Sequence, residues 1–115
     1  MSDELVTRQR ADLKWAAIDF DGTLCESTWT ADNPSAPPGE PIWGMAVKMA
    51  ELWQHGFKIV IHTSRGWADY EIVESWLNHW SFPFHRIVCG KLLAKIYVDD
   101  RNVHMGDDWL EAMQA

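Results

Sequence analysis

Short apolar runs alternate along this chain with segments whose apolar residues recur at helical spacing. WAAIDF (15–20) and FKIVIHT (57–63) have the composition of buried strands, and WADYEIVESWLNHW (67–80) that of an amphipathic helix. RIVC (86–89) and IYV (96–98) predict two more strands. The unbroken apolar run at 15–20 is typical of a strand that is buried on both faces of a parallel sheet. Strands that alternate with helices indicate βαβ units, so the pattern predicts an α/β protein with a small parallel sheet.

The chain of 115 residues has the length of one domain. Residues 1–14 are predicted to be a polar lead-in, and residues 15–115 a single domain. The loop CESTWTADNPSAPPGE (25–40) is long for so small a domain, and loops of this length are usually functional or mobile. We expect it to form a flap. Pro41 suits the first position of the next helix, and Gly56 suits its end.

The composition narrows the classes of partner. Ten Lys and Arg residues against 17 Asp and Glu give a net charge of −7, which argues against broad nonspecific binding of nucleic acid. No apolar run approaches the roughly 18 residues of a membrane span. The charged start has no apolar stretch, so we expect a cytoplasmic protein with no membrane partner. Cys25 and Cys89 lie in no paired-cysteine motif and are expected to be reduced thiols.

Eight tryptophans are many for a chain of this length. Most lie in predicted helices or at strand edges, where they fill the core of a small domain. Trp29 and Trp67 lie near the polar ends of predicted strands, so contact with a substrate is an alternative there, although packing is favoured.

Polar residues gather where the predicted strands end. Asp19 and Asp21 lie at the end of the first strand, Thr63-Ser64-Arg65 at the end of the second, and Asp99-Asp100-Arg101 after the fourth. In parallel sheets, ligands bind beyond the carboxyl ends of the strands. Two carboxylates held close repel each other and need compensation. The pair is therefore either a solvated acidic turn or a metal site with one carboxylate free for chemistry. If these strands are neighbours in the sheet, the three groups converge in one crevice, and that convergence favours the second interpretation.

The motifs in this order resemble those of the haloacid dehalogenase superfamily of phosphatases. The first is an apolar strand with DxDxT, here AAIDFDGTL; the second ends in Thr or Ser, here KIVIHTS; a lysine follows; and the last ends in paired acids, here KIYVDD. The resemblance covers residues 16–100 and is nearest to small phosphatases with little or no cap. It implies a three-layer, Rossmann-like fold with a small central parallel sheet.

The resemblance implies a phosphoaspartyl mechanism. Asp19 would be the nucleophile that attacks phosphorus, and Asp21 would be the general acid that later activates water. Mg²⁺ would be held by Asp19, Asp99 and the backbone carbonyl of Asp21, with Asp100 binding a metal water or the lysine. Hard oxygen ligands without paired histidines favour Mg²⁺ over zinc.

The same resemblance implies which residues face the phosphate. Thr63 would donate a hydrogen bond to it, and Lys91 would offset its charge. Lys91 precedes Asp99 by eight positions, as in the small relatives, whereas Lys95 begins the predicted strand. Those relatives often have Pro after the lysine, where this chain has Leu92.

Four further residues are expected to contact the substrate. Gly22 permits a sharp turn that aims backbone amides at the phosphate, and Ser64 follows the second motif. Arg65 and Arg101 directly follow the second and fourth motifs. Each is expected either to clamp a substrate phosphate or sugar or to form a surface ion pair, and the sequence does not choose between these.

The expected function is hydrolysis of a phosphate monoester on a small metabolite, a nucleotide or a sugar phosphate, with Mg²⁺. An open site of this kind suits a small substrate covered by a second copy of the chain in a homo-oligomer. It also suits the 3′ or 5′ phosphate end of a nucleic acid, as in the phosphatase half of polynucleotide kinase/phosphatase enzymes, although the net charge argues against this. A non-catalytic phospho-ligand or receiver-like module is the alternative of another class. Receivers carry an acid after the third strand, where this chain has Cys89-Gly90.

Overall fold

The computed structural model describes residues 14–94, 96–98 and 103–114, with the side chains of 112–114 left aside. The predicted site residues Asp99, Asp100 and Arg101, the alternative lysine Lys95 and almost all of the lead-in lie outside the described residues. The described elements are the strands β1 (Trp15–Ile18), β2 (Lys58–His62) and β3 (Arg86–Val88), the helices α1 (Met45–Gln54), α2 (Tyr70–His79) and α3 (Trp109–Gln114), and a 3-10 turn (Trp67–Asp69).

The three strands form a parallel sheet in the order β1-β2-β3. Ala16 pairs with Ile59 between β1 and β2, and Ile61 pairs with Ile87 between β2 and β3. The prediction of an α/β protein with a small parallel sheet is confirmed, and the arrangement is compatible with a Rossmann-like fold. The three-layer arrangement stays a prediction.

One face of the sheet carries the core. Its buried side chains pack with buried residues of α1, α2 and α3, and the strand contribution is Ala16, Ile18, Ile59, Ile61 and Ile87. On β1 the alternate residues Trp15 and Ala17 are exposed. Because successive side chains of a strand point to opposite faces, β1 buries a single face, and the prediction that both faces are buried is wrong for this strand.

Helix α1 begins later than predicted. Gly44 precedes it with a φ of 87°, which lies in the left-handed region, so the right-handed helix cannot extend back through Gly44 to Pro41. Pro41 instead bridges Cys25 in an antiparallel pairing. The predicted end is confirmed, since the helix ends at Gln54 and Gly56 has a φ of 83°.

The predicted fourth strand is absent from residues 96–98. All three side chains are exposed, and Val98 is 90% exposed. Tyr97 turns back on its own segment, where its hydroxyl donates to the Leu92 carbonyl and accepts from the Ala94 amide at 3.1 Å. An apolar run of three residues sets no structure by itself, and these local contacts take the place of strand pairing.

No helix in the described ranges is long and apolar enough to cross a membrane.

Candidate functional site

A cleft opens at the carboxyl ends of β1 and β2. Asp19 directly follows β1, and Ser64 lies just beyond β2. The cleft is lined by Asp19, Asp21, Ser27, Trp29, Ser64 and Leu93. The structure therefore brings together the two carboxylates and the hydroxyl that the sequence placed at the ends of the first two predicted strands, which are neighbours in the sheet.

The turn after β1 sends both carboxylates to the cleft. Phe20, between them, is fully buried and meets the edge of the Trp76 ring at a centroid distance of 5.1 Å. Since side chains alternate in extended chain, anchoring Phe20 in the core turns Asp19 and Asp21 away from it. The Phe20 carbonyl then accepts the amides of Thr23 at 3.1 Å and Leu24 at 2.9 Å, which closes the turn.

Gly22 allows this turn to be tight. Its φ is 80°, and a Cβ built there would meet nothing within 4 Å, so the backbone conformation rather than space selects glycine. Its amide donates to the Cys25 carbonyl at 2.8 Å. Gly22 therefore shapes the loop that carries the carboxylates. Its own amide is hydrogen-bonded within that loop, to Cys25, rather than free to bind a phosphate.

Arg65 compensates the charge of the acidic pair. Its Nε and Nη2 each donate to a different Asp21 oxygen at 2.9 Å, and its Nη1 donates to Asp69 Oδ2 at 3.2 Å. Burial alone would lower the pKa of Arg65, but the hydrogen bonds and charges of Asp21 and Asp69 raise it above its usual value. The guanidinium thus stays charged and forms a bidentate ion pair with Asp21, called here the two-point grip.

Arg65 is neither a surface ion pair nor, in this structure, a free clamp for substrate, the two alternatives that the sequence left open. It forms ion pairs, but its side chain is fully buried rather than on the surface, and both of its partners belong to the protein. The sequence contains no signal for Asp69 as the second partner. Asp69 lies four residues after Arg65, but Gly66 between them is extended with a ψ of 165°, so the helical rule for that spacing does not apply.

Thr63 lies behind the cleft rather than on its wall. It is fully buried, and its Oγ1 accepts the Arg65 amide at 3.1 Å. Ser64, half-buried beside it, lines the cleft instead. Thr63 therefore orients the loop that carries Arg65, and Ser64 presents the hydroxyl.

Lys91 is tied to the end of β2 by the backbone. Its amide donates to the Thr63 carbonyl at 2.9 Å, and the amide of Gly90 donates to the Arg65 carbonyl at 2.8 Å. The ammonium lies 4.3 Å from the centroid of the Tyr97 ring. Its charge also reaches His62: burial and Lys91 lower the pKa of His62, and Asp19 opposes them.

The donor set of the cleft fits a hard cation. Asp19 Oδ1 accepts the Phe20 amide at 2.8 Å, and its second oxygen has no partner among the described residues. Both carboxylate oxygens of Asp21 are taken by Arg65, whereas its backbone carbonyl accepts no hydrogen bond within the described ranges. Two oxygens, one of the Asp19 carboxylate and the Asp21 backbone carbonyl, are thus left without a hydrogen bond from the described residues. The described residues contain no cluster of three or more His, Cys, Asp or Glu for a metal, and Asp99 and Asp100 lie outside them.

The loop 25–40 folds into a paired arm over one side of the cleft. At its base the Glu26 amide donates to the Glu40 carbonyl at 2.8 Å, and higher up the Thr28 hydroxyl donates to the Pro37 carbonyl. The Trp76 indole of α2 donates to the Gly39 carbonyl at 3.0 Å, which fastens the arm to the core.

One face of this arm forms a wall of the cleft. Thr28 faces the returning half of the arm, and Ser27 and Trp29 on either side of it line the cleft, as the alternation of extended chain requires. Trp67, the other tryptophan near the predicted site, does not line the cleft and instead stacks on Tyr70 at 6.2 Å.

Both cysteines are free and buried, as expected. Burial, reinforced by the charge of Asp21, raises the pKa of Cys25 to about 12. Its thiol is therefore a packing group beside the carboxylates and not a nucleophile.

No protein-family model and no curated protein matches this chain. Three solved structures resemble it. A structural-genomics target from Vibrio cholerae is 28% identical with a TM-score of 0.69, and the match covers 89% of this chain and 95% of that one. A conserved protein from Bacteroides thetaiotaomicron is 25% identical with a TM-score of 0.53, covering 80% of this chain and 79% of that one.

The third resemblance is to a chain of the Pnkp1/Rnl/Hen1 complex. It is 21% identical with a TM-score of 0.56, and the match covers 78% of this chain but only 32% of that one. At this identity the likeness concerns the fold. All three likenesses are compatible with a fold of the haloacid dehalogenase type.

Proposed function

We propose that this chain is a Mg²⁺-dependent phosphatase of the haloacid dehalogenase type that hydrolyses a phosphate monoester of a small metabolite. One observation carries the proposal: Asp19 and Asp21 line the same cleft at the carboxyl end of a parallel sheet, and Asp19 keeps an oxygen without a partner in the described chain. A solvated acidic turn would not require a fully buried arginine to hold one of its carboxylates.

Asp19 is the proposed nucleophile. Its free oxygen attacks phosphorus, the bond from phosphorus to the ester oxygen breaks, and the leaving oxygen takes the proton that Asp21 carries at that stage. Water then attacks the phosphorus of the phosphoaspartate and gives its proton to Asp21, while the bond between phosphorus and the Asp19 oxygen breaks. Inorganic phosphate leaves, and both carboxyls are restored. The two-point grip of Arg65 orients an ionised Asp21 for the second step, and the first step needs one of those hydrogen bonds to open.

Mg²⁺ would be held by the Asp19 carboxylate and the Asp21 carbonyl, with Asp99 and Asp100 as further ligands predicted from the sequence. When bound, the ion neutralises charge between the nucleophile and the phosphate. The hydroxyl of Ser64 and the ammonium of Lys91 are the proposed contacts to the phosphoryl oxygens. Thr63 supports them from behind, because its backbone and hydroxyl tie together the segments that carry both.

A small phosphorylated substrate is the proposed partner. The end of a nucleic acid is the alternative, and the net charge of −7 argues against it. A receiver-like binding module is disfavoured because β3 ends at Val88 and is followed by Cys89 and Gly90, with no carboxylate at that strand end.

The test is release of inorganic phosphate from nucleotides, sugar phosphates and phosphorylated oligonucleotides, with Mg²⁺ and with a chelator. Asp19→Asn is expected to abolish release. Asp32→Asn is the matched control, because it removes one carboxylate from an exposed position of the arm that does not line the cleft. Release that survives in Asp19→Asn, or that is lost equally in both variants, would contradict the mechanism.

A further inference from the structure

Trp29 differs from most of the other tryptophans in what its ring does. Five of them make ring contacts or hydrogen bonds that explain their positions: Trp53 stacks on His85, Trp67 on Tyr70 and Trp76 on Phe82, Trp80 packs on His79, and Trp109 donates to the His104 carbonyl. Trp29 is half-buried, yet its indole makes no hydrogen bond and no ring contact with any described residue. It is part of the wall that contains Asp19 and Asp21. No aromatic stack, cation–π contact or hydrogen bond among the described residues therefore accounts for the position of this indole.

The arm holds Trp29 in a fixed place. On one side, Thr28 is bonded to the Pro37 carbonyl, and on the other, Thr30 and Asn33 exchange backbone hydrogen bonds at 3.1 and 3.5 Å. The Thr30 hydroxyl accepts the Asn33 amide at 3.0 Å as well. Because the residues on both sides of Trp29 are held by hydrogen bonds, the indole is ordered before a ligand arrives. Binding against it therefore costs little conformational entropy in the protein.

The other uncharged residues of the cleft lining suit a flat group. Leu93 is apolar and largely exposed, and the hydroxyls of Ser27 and Ser64 are the uncharged polar groups in the lining. A sugar alone presents many hydroxyls, and outside the carboxylates Asp19 and Asp21 the lining offers only two side-chain hydroxyls as partners for them. A planar ring presents an apolar face to an indole and a polar edge to a hydroxyl.

We infer that Trp29 is a stacking platform for a nucleobase, so that the phosphate monoester taken by this site is a nucleotide. The claim that the bound nucleotide is hydrolysed rests on the proposed function. The claim that a nucleotide binds against Trp29 rests on the geometry of the cleft. The base lies against Trp29 while the phosphate lies at Asp19. Because every base has a π-face, one platform accepts several bases, and Ser27 is placed to contact the base edge.

Binding is tested first, in the Asp19→Asn background with Mg²⁺, where hydrolysis does not interfere. Calorimetric titrations compare adenosine 5′-monophosphate with ribose 5-phosphate, which differ by the base alone. Trp29→Ala is expected to weaken nucleotide binding roughly 5- to 150-fold, the range for loss of one base–aromatic stack, and to leave ribose 5-phosphate within about twofold. Trp29→Phe keeps a ring and is expected to retain most of the affinity.

Trp43→Ala is the matched control. Trp43 is 95% exposed, does not line the cleft and makes no ring contact in the described chain. Its substitution therefore removes an indole at a position away from the cleft. Equal loss for nucleotide and ribose 5-phosphate in Trp29→Ala, an unchanged nucleotide affinity in that variant, or no nucleotide binding by the parent would each overturn the inference. Circular dichroism of each variant verifies that the fold is retained.

Hydrolysis by the wild-type chain then distinguishes a free nucleotide from the end of a nucleic acid as the source of the nucleobase. The assay compares adenosine 5′-monophosphate with 3′- and 5′-phosphorylated trinucleotides, and the negative charge of the chain predicts preference for the mononucleotide. If base-dependent binding is found without any phosphate release, the proposed function fails and the inference holds. If ribose 5-phosphate is hydrolysed as fast as the nucleotide and Trp29→Ala changes neither rate, the proposed function holds and the inference fails.

Discussion

Replacing Arg65 tests how the chain tolerates two carboxylates at one strand end. Arg65→Met keeps most of the side-chain volume and removes the charge. It leaves Asp21 and Asp69 without their cation, and Asp69 is only 4% exposed. Removing one partner of a buried ion pair costs about 3–5 kcal/mol, because the remaining charges keep their desolvation penalty. For a chain of this length that corresponds to a fall in melting temperature of roughly 10–20 °C.

Urea unfolding of the wild type and the variants measures this cost. Arg65→Met/Asp69→Asn is expected to be more stable than Arg65→Met, since it leaves one unpaired carboxylate instead of two. Arg65→Lys is expected to fall between wild type and Arg65→Met, because a single ammonium cannot reproduce the bidentate grip on Asp21. The reasoning is refuted if Arg65→Met unfolds within about 0.5 kcal/mol of wild type, the usual range for surface substitutions. It is also refuted if adding Asp69→Asn recovers nothing.

Three further predictions concern backbone strain, thiol reactivity and pH. Gly22→Ala is expected to cost about 1–2 kcal/mol in urea unfolding, from its left-handed φ alone, and Gly39→Ala more, because its Cβ would lie 2.5 Å from a backbone carbonyl oxygen; equal costs would contradict the steric argument. The Cys25 thiol, with a pKa of about 12, is expected to resist a disulfide reagent at pH 8 until urea unfolds the chain, and rapid labelling of the native protein at this position would disprove its burial. The pKa of His62 is lowered from 6.5 in the folded state, so the unfolded state binds the extra proton first and stability falls as pH decreases below about 6.5. His62→Gln is expected to flatten that fall, as followed by melting temperature against pH; a profile that this substitution leaves unchanged would refute the assignment.

Local patterns determined much of this protein. The alternation of apolar runs with helix-spaced segments predicted a parallel α/β sheet, and β1, β2 and β3 lie within the predicted ranges. Parallel strands place their carboxyl ends at one edge, and because β1 and β2 are neighbours in the sheet, Asp19, Asp21 and Ser64 reach one cleft, as expected for that case. The strands themselves depend on near neighbours in sequence, which is why the sequence alone predicts them, whereas the pairing of β1 with β2 joins distant residues such as Trp15 and Lys58.

Local patterns did not determine how the ends of the elements are used. The start of α1 depends on the left-handed conformation of Gly44. In residues 96–98 the Tyr97 hydroxyl bonds to the nearby backbone of Leu92 and Ala94, and the segment does not join the sheet. Both positions carry signals that fit two structures, a helix start or a turn at Pro41 and a strand or a loop at 96–98. The choice rests on contacts that the pattern does not contain.

Long-range contacts alone decided the character of the cleft. Asp21 is separated from Arg65 by 44 positions, and no local rule indicates that the arginine is buried between two carboxylates rather than exposed to a ligand. Trp29 became part of the wall because Gly39 approaches the Glu26 backbone closely enough for the loop to pair with itself and dock on Trp76. The energy of a charge or a ring depends on what surrounds it, and those surroundings exist only after the chain has folded.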